Sequence, residues 1–189
     1  MNNLALFASG SGSNAEEIMK YFQDHESIRV VLVCSNNSDA FVLERAKKFN
    51  VPCHVFDRTE FRSEESLLPV LKRYGVTHII LAGFLWLVPQ SLTNSFENKI
   101  LNIHPALLPN YGGKGMYGMN VHKAVIEARE KQSGITIHFV NARYDEGNIV
   151  FQKHCEVLPE DSPEDLAQRI HGLEHKFFSK VIEQVINAS

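Results

Sequence analysis

The chain has 189 residues, 44% of them hydrophobic, and a formal net charge of −3 at neutral pH. This length suits one domain with a substantial core, and the scattered Lys and Arg residues form no basic stripe of the kind that binds nucleic acid. No apolar run approaches the roughly 20 residues that a membrane span requires, and the first residues lack the pattern of a signal peptide. The 3 cysteines have no metal-like spacing, which indicates free thiols in a reducing compartment. We therefore expect a cytoplasmic protein.

A Gly/Ser loop follows the first predicted strand. The strand covers residues 4–8, the loop has the sequence SGSGSN at residues 9–14, and a helix is predicted over residues 16–22. This order presents free backbone N–H groups and a positive helix end to a phosphate. The loop also fits a dinucleotide fingerprint, but the second strand, residues 30–34, ends without the acidic residue that holds a ribose. A phosphate monoester is therefore favoured over NAD, and a turn without a ligand remains the alternative.

Helices and strands alternate along the next part of the chain. Helices are predicted over residues 41–49 and 63–74, and strands over residues 51–55 and 76–81. Apolar strands separated by helices predict an α/β, Rossmann-like fold with a mostly parallel sheet and helices on both faces. Ligands of such sheets bind beyond the carboxyl ends of the strands. The Gly/Ser loop and the segments that follow later strands should therefore share one edge.

Large apolar side chains follow the fourth strand at this edge. They are Phe84, Leu85, Trp86, Leu87 and Val88. Because loops usually lie at the surface, an apolar loop here is either part of the core or the wall of a pocket for a flat ligand. Both interpretations stay open on this pattern alone.

Residues 101–109, with the sequence LNIHPALLP, carry the strongest candidate catalytic pair. A short strand over residues 100–103 places Asn102 and His104 on the same side, and Pro105 favours an end to the strand. An imidazole exchanges protons near neutral pH, and an amide can donate to a developing oxyanion. The alternative is that both side chains only satisfy backbone groups at a strand end.

A third polar residue lies in a later loop. A helix is predicted over residues 121–130 and strands over residues 135–140 and 149–154, with a polar loop between the two strands. Asp145 in this loop is either a turn residue or, if the loop folds back towards His104, a carboxylate that orients the imidazole.

The last predicted helix carries a carboxylate on its apolar side. Ser162 and the proline after it mark the start of the helix. Glu174 lies within an apolar stripe at helical spacing, formed by Leu166, Ile170, Leu173, Phe177 and Val181. A buried carboxylate needs a partner, which is either a Lys or Arg side chain or a polar substrate.

Six segments, in this order and at these intervals, resemble the phosphoribosylglycinamide formyltransferases of the formyltetrahydrofolate-dependent family. They are residues 9–14, 82–85, 102–109, 134–140, 145–147 and 173–175, and the likeness covers nearly the whole chain. The resemblance implies one formyltransferase domain over residues 1–189, with a phosphate-binding N-terminal half and a folate-binding, catalytic C-terminal half. It implies that a formyl group passes from 10-formyltetrahydrofolate, a co-substrate, to the amine of glycinamide ribonucleotide in de novo purine biosynthesis, without a metal.

The resemblance also assigns roles to residues of this chain. The implied catalytic group is Asn102, His104 and Asp145. In such a group we expect the Asp145 carboxylate to keep His104 protonated. The implied ribonucleotide contacts are Gly12, Ser13, Asn14 and Glu174, and the implied folate contacts are Arg62, Phe84, Leu85, Trp86, Leu87, Val88, Asn102 and Val140. Two residues depart from the family pattern. Trp86 replaces a basic residue of some members, and Asn120 replaces a histidine of many, which implies that a second imidazole is absent from the site.

The partners expected from these observations are the two small-molecule substrates, with no nucleic acid, no membrane and at most a weak homodimer. Two other functions remain open. A formyltetrahydrofolate hydrolase would resemble the same catalytic region, and a non-catalytic nucleotide-binding module would bind phosphate without any dependence on folate.

Overall fold

The computed structural model describes residues 1–63 and 67–188. Its strands are β1 (Asn2–Phe7), β2 (Ile28–Ser35), β3 (Cys53–Val55), β4 (His78–Leu81), β5 (Ile100–His104), β6 (Gln132–Phe139) and β7 (Ile149–Glu156). Its helices are α1 (Ser13–Tyr21), α2 (Phe41–Lys48), α3 (Arg58–Arg62), α4 (Leu67–Arg73), α5 (Gln90–Ser95), α6 (Met119–Glu127) and α7 (Pro163–Asn187). Residues 64–66, which belong to a predicted helix, lie outside this description. Among the described helices, none has the length and apolar character needed to cross a bilayer.

The strands form one sheet in the order β3-β2-β1-β4-β5-β6-β7. The pairs from β3 to β5 are parallel, whereas β5 pairs with β6 and β6 with β7 in antiparallel fashion. The predicted mostly parallel sheet is therefore confirmed. From β1 the chain builds outward to β2 and β3, then returns to the other side of β1 for β4. Such a reversal opens a crevice at the carboxyl ends of the neighbouring strands.

Helices cover both faces of the sheet, as predicted. Leu4 and Leu6 of β1 pack into one core with residues of α1, α2, α6 and α7. Ala5 and Phe7 point the other way, into a second core with residues of α3, α4 and α5. Because β1 is buried on both sides, all of its apolar side chains are used, which is why its sequence reads as a continuous apolar run.

Three details differ from the predicted elements. The short helices α3 and α5, with 5 and 6 residues, were not predicted because so few residues cannot display a helical period. Strand β6 begins at Gln132, before the predicted start at residue 135. It includes Gly134, where a Cβ atom would lie 2.1 Å from the Lys153 carbonyl oxygen of β7. Glycine is therefore needed here for a close approach of two strands.

Candidate active site

A cavity of about 830 Å³ opens beside the crevice between β1 and β4. Its lining includes the Gly/Ser loop, the segment after β4, the end of β5, the loop before α6 and one face of α7. Two hydrogen bonds join the first two of these segments. The Ser9 N–H donates to the Gly83 carbonyl at 3.1 Å, and the Leu85 N–H donates to Ser9 Oγ at 3.0 Å. The loops after β1 and β4 therefore form one continuous rim.

The structure brings Asn102, His104 and Asp145 together in this cavity. His104 Nδ1 lies 3.6 Å from Asp145 Oδ2, so the loop between β6 and β7 does fold back towards the imidazole. The Gly113 N–H donates to the same carboxylate oxygen at 2.9 Å. Asp145 itself has a left-handed backbone with φ of 56°. This conformation is uncommon outside glycine, and here it directs the carboxylate at the imidazole.

The protonation of His104 differs from the expectation. Its Nε2 lies 2.8 Å from the Tyr111 carbonyl oxygen, which only accepts, so Nε2 carries a hydrogen and donates. Burial lowers the pKa of His104, and this outweighs the opposing effects of Asp145 and the Tyr111 carbonyl. The imidazole is therefore neutral near pH 7 in the free protein, with its Nδ1 lone pair facing Asp145. The prediction that Asp145 keeps His104 protonated is wrong for this state, because desolvation is the larger effect.

Asp145 remains ionised beside this neutral imidazole. Burial raises the pKa of its carboxyl, but His138, His104 and the Gly113 N–H together outweigh burial, and the net pKa is lowered. A carboxylate and an imidazole lone pair thus face each other across 3.6 Å. Two acceptors in this arrangement are suited to share an incoming proton.

His138 completes the group and was missed from the sequence. Its Nδ1 lies 2.8 Å from the Phe139 carbonyl oxygen and must donate to it, so Nε2 is an acceptor. Asn102 Nδ2 donates to that Nε2 at 3.1 Å. One amide hydrogen of Asn102 is therefore held by His138, which leaves the second for a ligand. The same Nε2 lies 3.6 Å from Asp145 Oδ1, and it stabilises that carboxylate only when the imidazole is protonated. The expectation that the site holds no second imidazole is wrong, because β6 supplies His138 and α6 supplies His122, which lines the cavity.

The Gly/Ser loop leads into the N-terminus of α1. Gly12 has φ of 69° and caps the helix, and Ser13 and Asn14 are its first residues. All three line the cavity, so their N–H groups are placed at a helix end where an anion is favoured. A Cβ atom on Gly12 would lie 2.4 Å from the Val42 side chain. This glycine therefore also permits the packing of α1 on α2.

Glu174 of α7 lines the same cavity next to the Gly/Ser loop. It is 8% exposed, and Asn14 Nδ2 donates to its Oε2 at 2.9 Å. Within the described chain, no Lys or Arg side chain forms an ion pair with it. Burial raises the pKa of this carboxyl, an effect that the Asn14 hydrogen bond opposes. The partner of Glu174 is thus a residue of the phosphate-type loop.

The apolar segment after β4 divides between two cavities. Phe84, Leu85 and Trp86 line the large cavity. Leu87, Val88 and Val140 line a smaller one of about 50 Å³, to which Asn102 and Asp145 also contribute. Phe84 packs edge to face on Trp86 and Phe7, so this segment also belongs to the second core. Both sequence interpretations, core and pocket wall, therefore apply to it.

A different arginine from the expected one lies at this wall. Arg58 lines the large cavity, with its guanidinium 5.0 Å from the centre of the Trp86 ring. Arg62, at the end of α3, is not among the described residues that line either cavity. In residues 1–63 and 67–188, no group of three or more His, Cys, Asp or Glu side chains could hold a metal ion.

Comparison with known proteins identifies the family. The model of the formyl transferase family, Formyl_trans_N, matches residues 2–182. The chain belongs to the formyl transferase family.

The matches to two relatives cover 95% and 98% of this chain. A phosphoribosylglycinamide formyltransferase of Bacillus subtilis is 35% identical over 98% of this chain and 95% of its own. A chloroplastic phosphoribosylglycinamide formyltransferase of Arabidopsis thaliana is 44% identical over 95% of this chain. The chain spans 63% of that protein and 59% of the one from Vigna unguiculata.

Solved structures show the same fold. Glycinamide ribonucleotide transformylase 1 from Geobacillus kaustophilus has a TM-score of 0.88 and 34% identity, and the match covers 98% of both chains. Glycinamide ribonucleotide transformylase 1 from Symbiobacterium toebii has a TM-score of 0.87 and 35% identity over 96% of this chain and 86% of its own. The predicted formyltransferase fold is confirmed.

Proposed function

We propose that the protein transfers a formyl group from 10-formyltetrahydrofolate to the amine of glycinamide ribonucleotide, a step of de novo purine biosynthesis. The observation that carries this proposal is the continuity of the large cavity. The phosphate-type loop and Glu174 line this cavity, and Asn102, His104 and Asp145 line it too. A ribonucleotide whose phosphate occupies the loop would thus present its amine to the catalytic group. The names of the relatives support the same substrates.

The first chemical step needs a proton acceptor. The amine nitrogen attacks the formyl carbon, a C–N bond forms, and the carbonyl oxygen becomes an oxyanion while the nitrogen becomes positively charged. Neutral His104 offers Nδ1, and Asp145 lies 3.6 Å from it, so a proton leaving the nitrogen is held between them. The resulting imidazolium is stabilised by the Asp145 carboxylate. The imidazole is therefore charged during the reaction rather than before it.

Asn102 is placed to stabilise the oxyanion. Its Nδ2 donates one hydrogen to His138 at 3.1 Å and keeps the other for the substrate oxygen. A fixed donor of this kind needs no reorganisation as charge develops, and its removal costs on the order of 3–4 kcal/mol in barrier height. Collapse of the intermediate breaks the bond from carbon to N10 of the folate. N10 then receives the proton from His104, which balances the transfer.

The ribonucleotide and the folate would occupy different walls. We assign the phosphate to Gly12, Ser13 and Asn14 and a ribose hydroxyl to Glu174. We assign the pteridine to the small cavity and its rim, formed by Phe84, Leu85, Trp86, Leu87, Val88, Asn102 and Val140.

The folate tail would lie near Trp86, where Arg58 rather than Arg62 meets the cavity. No step of this scheme needs a metal. The seven strands form one sheet, and we propose a single cytoplasmic formyltransferase domain that is a monomer or a weak homodimer. Its N-terminal half binds phosphate and its C-terminal half is catalytic.

A spectroscopic assay tests the proposal. Purified protein is given a 10-formyl folate with and without glycinamide ribonucleotide, and loss of the formyl group is followed. We expect turnover only when both are present. Turnover without the ribonucleotide would instead establish a hydrolase, and ribonucleotide binding without any turnover would establish a binding module.

A further inference from the structure

A second polar contact, besides that of Asn14 with Glu174, joins the Gly/Ser loop to α7. Ser13 Oγ lies 2.7 Å from His171 Nε2, although the two residues are 158 positions apart in the chain. Both line the cavity, and the His171 side chain is 49% exposed. An imidazole at this distance decides where the hydroxyl hydrogen points.

Two arrangements of this contact are possible, and they differ in what they offer to a phosphate. If Nε2 is unprotonated, the hydroxyl donates to it and presents oxygen lone pairs to the cavity, which repel a phosphate. If Nε2 carries a hydrogen, it donates to Oγ, and the hydroxyl hydrogen is free to point at a phosphate oxygen. The neutral tautomer with its hydrogen on Nε2 also permits the second arrangement, but only the charged imidazole adds attraction for the phosphate dianion.

The nearest arginine on α2 is already engaged. Arg45 donates to the Ser11 carbonyl at 2.8 Å and forms an ion pair with Glu16. Arg58, which also lines the cavity, lies over Trp86 at the folate wall. Lys114 also lines the cavity, but the 2.7 Å contact of His171 Nε2 with Ser13 Oγ places the imidazole to supply positive charge beside that hydroxyl.

We propose that His171 positions the Ser13 hydroxyl for a phosphate monoester, and that phosphate binding is coupled to uptake of a proton by this imidazole. The proposal rests on the proposed function only in taking the Gly/Ser loop as the phosphate site. It makes ribonucleotide affinity depend on pH through a residue that does not touch the reacting atoms.

The groups around His171 are compatible with a charge that appears on binding. Glu174 Oε2 lies 4.0 Å from its Nε2, where the carboxylate would pair with an imidazolium. His175 packs against it with ring centres 4.8 Å apart, and His122 lines the same cavity. Burial, first, and then His171 lower the pKa of both other histidines, which keeps them neutral beside an imidazolium. Arg45 and Glu17 act on His175 with opposite signs.

Calorimetry with ribose 5-phosphate provides the test. This probe carries a phosphate monoester but no amine, so proton changes of the substrate amine do not enter. At pH 7.5 to 8 its phosphate is already mainly a dianion, since the second pKa of a phosphate monoester is about 6. Titrations in two buffers of different ionisation enthalpy then measure proton uptake by the protein. We expect clear uptake by the wild type, and affinity that falls as the pH rises from 7 to 8.5.

Three variants separate His171 from its neighbours. His171→Gln keeps a donor for Ser13 without a charge, so we expect no proton uptake and weaker binding at pH 7. His171→Lys carries a permanent charge, so we expect affinity that is nearly constant from pH 7 to 8.5. His175→Gln is the matched control on the same helix and should retain the uptake of the wild type.

Other outcomes overturn the proposal. If His171→Gln takes up as many protons as the wild type, the proton belongs to another group. The same follows if only His175→Gln loses the proton uptake. Absence of ribose 5-phosphate binding would remove the phosphate site and this proposal with it. The wild type could transfer the formyl group only when the ribonucleotide is present, yet take up no proton when ribose 5-phosphate binds. This result would leave the proposed function intact and reject only the role of His171.

Discussion

Asn14 and Glu174 are joined by a 2.9 Å hydrogen bond between the first residues of α1 and the middle of α7. The apolar stripe on α7 predicted that Glu174 points inward, and the structure confirms this, with 8% of the residue exposed. The amide nitrogen of Asn14 satisfies one carboxylate oxygen. Asn14 Oδ1 is buried and has no partner among the described residues. The pair therefore keeps hydrogen-bonding capacity for a ligand, as a ribose site requires.

Glu174→Gln should separate binding from stability. The amide oxygen still accepts from Asn14, so we expect a raised KM for the ribonucleotide and a folate KM within about twofold of the wild type. A structural ion pair would behave differently, since its loss typically costs about 3–5 kcal/mol. Steady-state kinetics and thermal melting distinguish the two. A large fall in Tm with an unchanged ribonucleotide KM would remove Glu174 from the site.

The difference in unfolding free energy between the wild type and Glu174→Gln should also depend on pH in a defined direction. Burial raises the pKa of Glu174 above its ordinary value of 4.5, so the folded state holds this proton more tightly than the unfolded state. The contribution of Glu174 to the free energy of unfolding should therefore fall as the pH rises above 4.5. Urea unfolding of both proteins at pH 5 and 7.5 measures the difference. If the unfolding free energy of the wild type, relative to that of the variant, increases with pH, the raised pKa of Glu174 is contradicted.

The fall of activity at low pH should follow the protonation of His104, which is neutral in the free protein. Burial lowers its pKa, and Asp145 opposes this effect. We expect kcat/KM to fall with acid only below the ordinary imidazole value of about 6.5. Asp145→Asn should move this fall to still lower pH and reduce kcat by about 100-fold or more. Asp24→Asn, an exposed control in the turn after α1, should change neither. If the fall of kcat/KM at low pH occurs at the same pH in Asp145→Asn as in the wild type, Asp145 does not influence the pKa of His104.

Asn102 and His138 should act as a unit. Asn102→Ala removes the oxyanion donor, so we expect kcat to fall by about 100-fold or more. His138→Leu leaves the donor but frees its orientation, so a smaller loss is expected. In the double variant the two losses should not add, because both act through one amide. Full additivity in this double-mutant cycle would show that His138 does not hold Asn102 for catalysis.

Thr136 should hold the turn that follows His104. Its buried hydroxyl donates to the Ala106 carbonyl at 2.7 Å and accepts from the Leu108 N–H at 3.0 Å and from Gln152 Nε2 at 2.9 Å. Thr136→Val keeps the shape but leaves these buried groups without a partner, which costs about 1–3 kcal/mol for each unsatisfied group. Chemical denaturation measures the loss. Thr59→Val, at an exposed position of α3, is the control and should have little effect.

Arg58 and Arg62 lie on the same short helix and form a matched pair. Because Arg58 meets the cavity beside Trp86, Arg58→Ala should raise the KM for a folate that carries its glutamate tail. The same change should have little effect on a folate fragment without the tail. Arg62→Ala should leave both values near those of the wild type. The reverse pattern would restore Arg62 as the tail contact that the sequence resemblance implied.

The sequence predicts the fold well because its signals are local. Apolar runs separated by helical periods are enough for a parallel sheet, and the polar residues that follow the strands mark its edge. The alternation of side chains along β6 indicates only that His138 shares a face with Thr136. The contact of His138 with Asn102 depends on the antiparallel register in which these two residues are partners, and no local pattern contains that register. Arg58 was missed because a helix too short to predict brings it to the cavity.

Protonation is equally inaccessible from the sequence. The charge of His104 depends on how much water the fold removes from it and on the Tyr111 carbonyl, and both are properties of the folded chain. The segment that supplies this carbonyl is a loop whose path no periodicity reveals.

The contacts of Ser13 with His171 and of Asn14 with Glu174 place the earliest and the latest parts of the chain in one binding site. During synthesis, the proposed phosphate-binding loop leaves the ribosome first, and its partners on α7 follow about 160 residues later. Ligand cannot stabilise the nascent chain through these contacts until translation is nearly complete. Ribosome-bound chains halted before α7 should therefore gain no protease resistance from ribose 5-phosphate, whereas the released protein should.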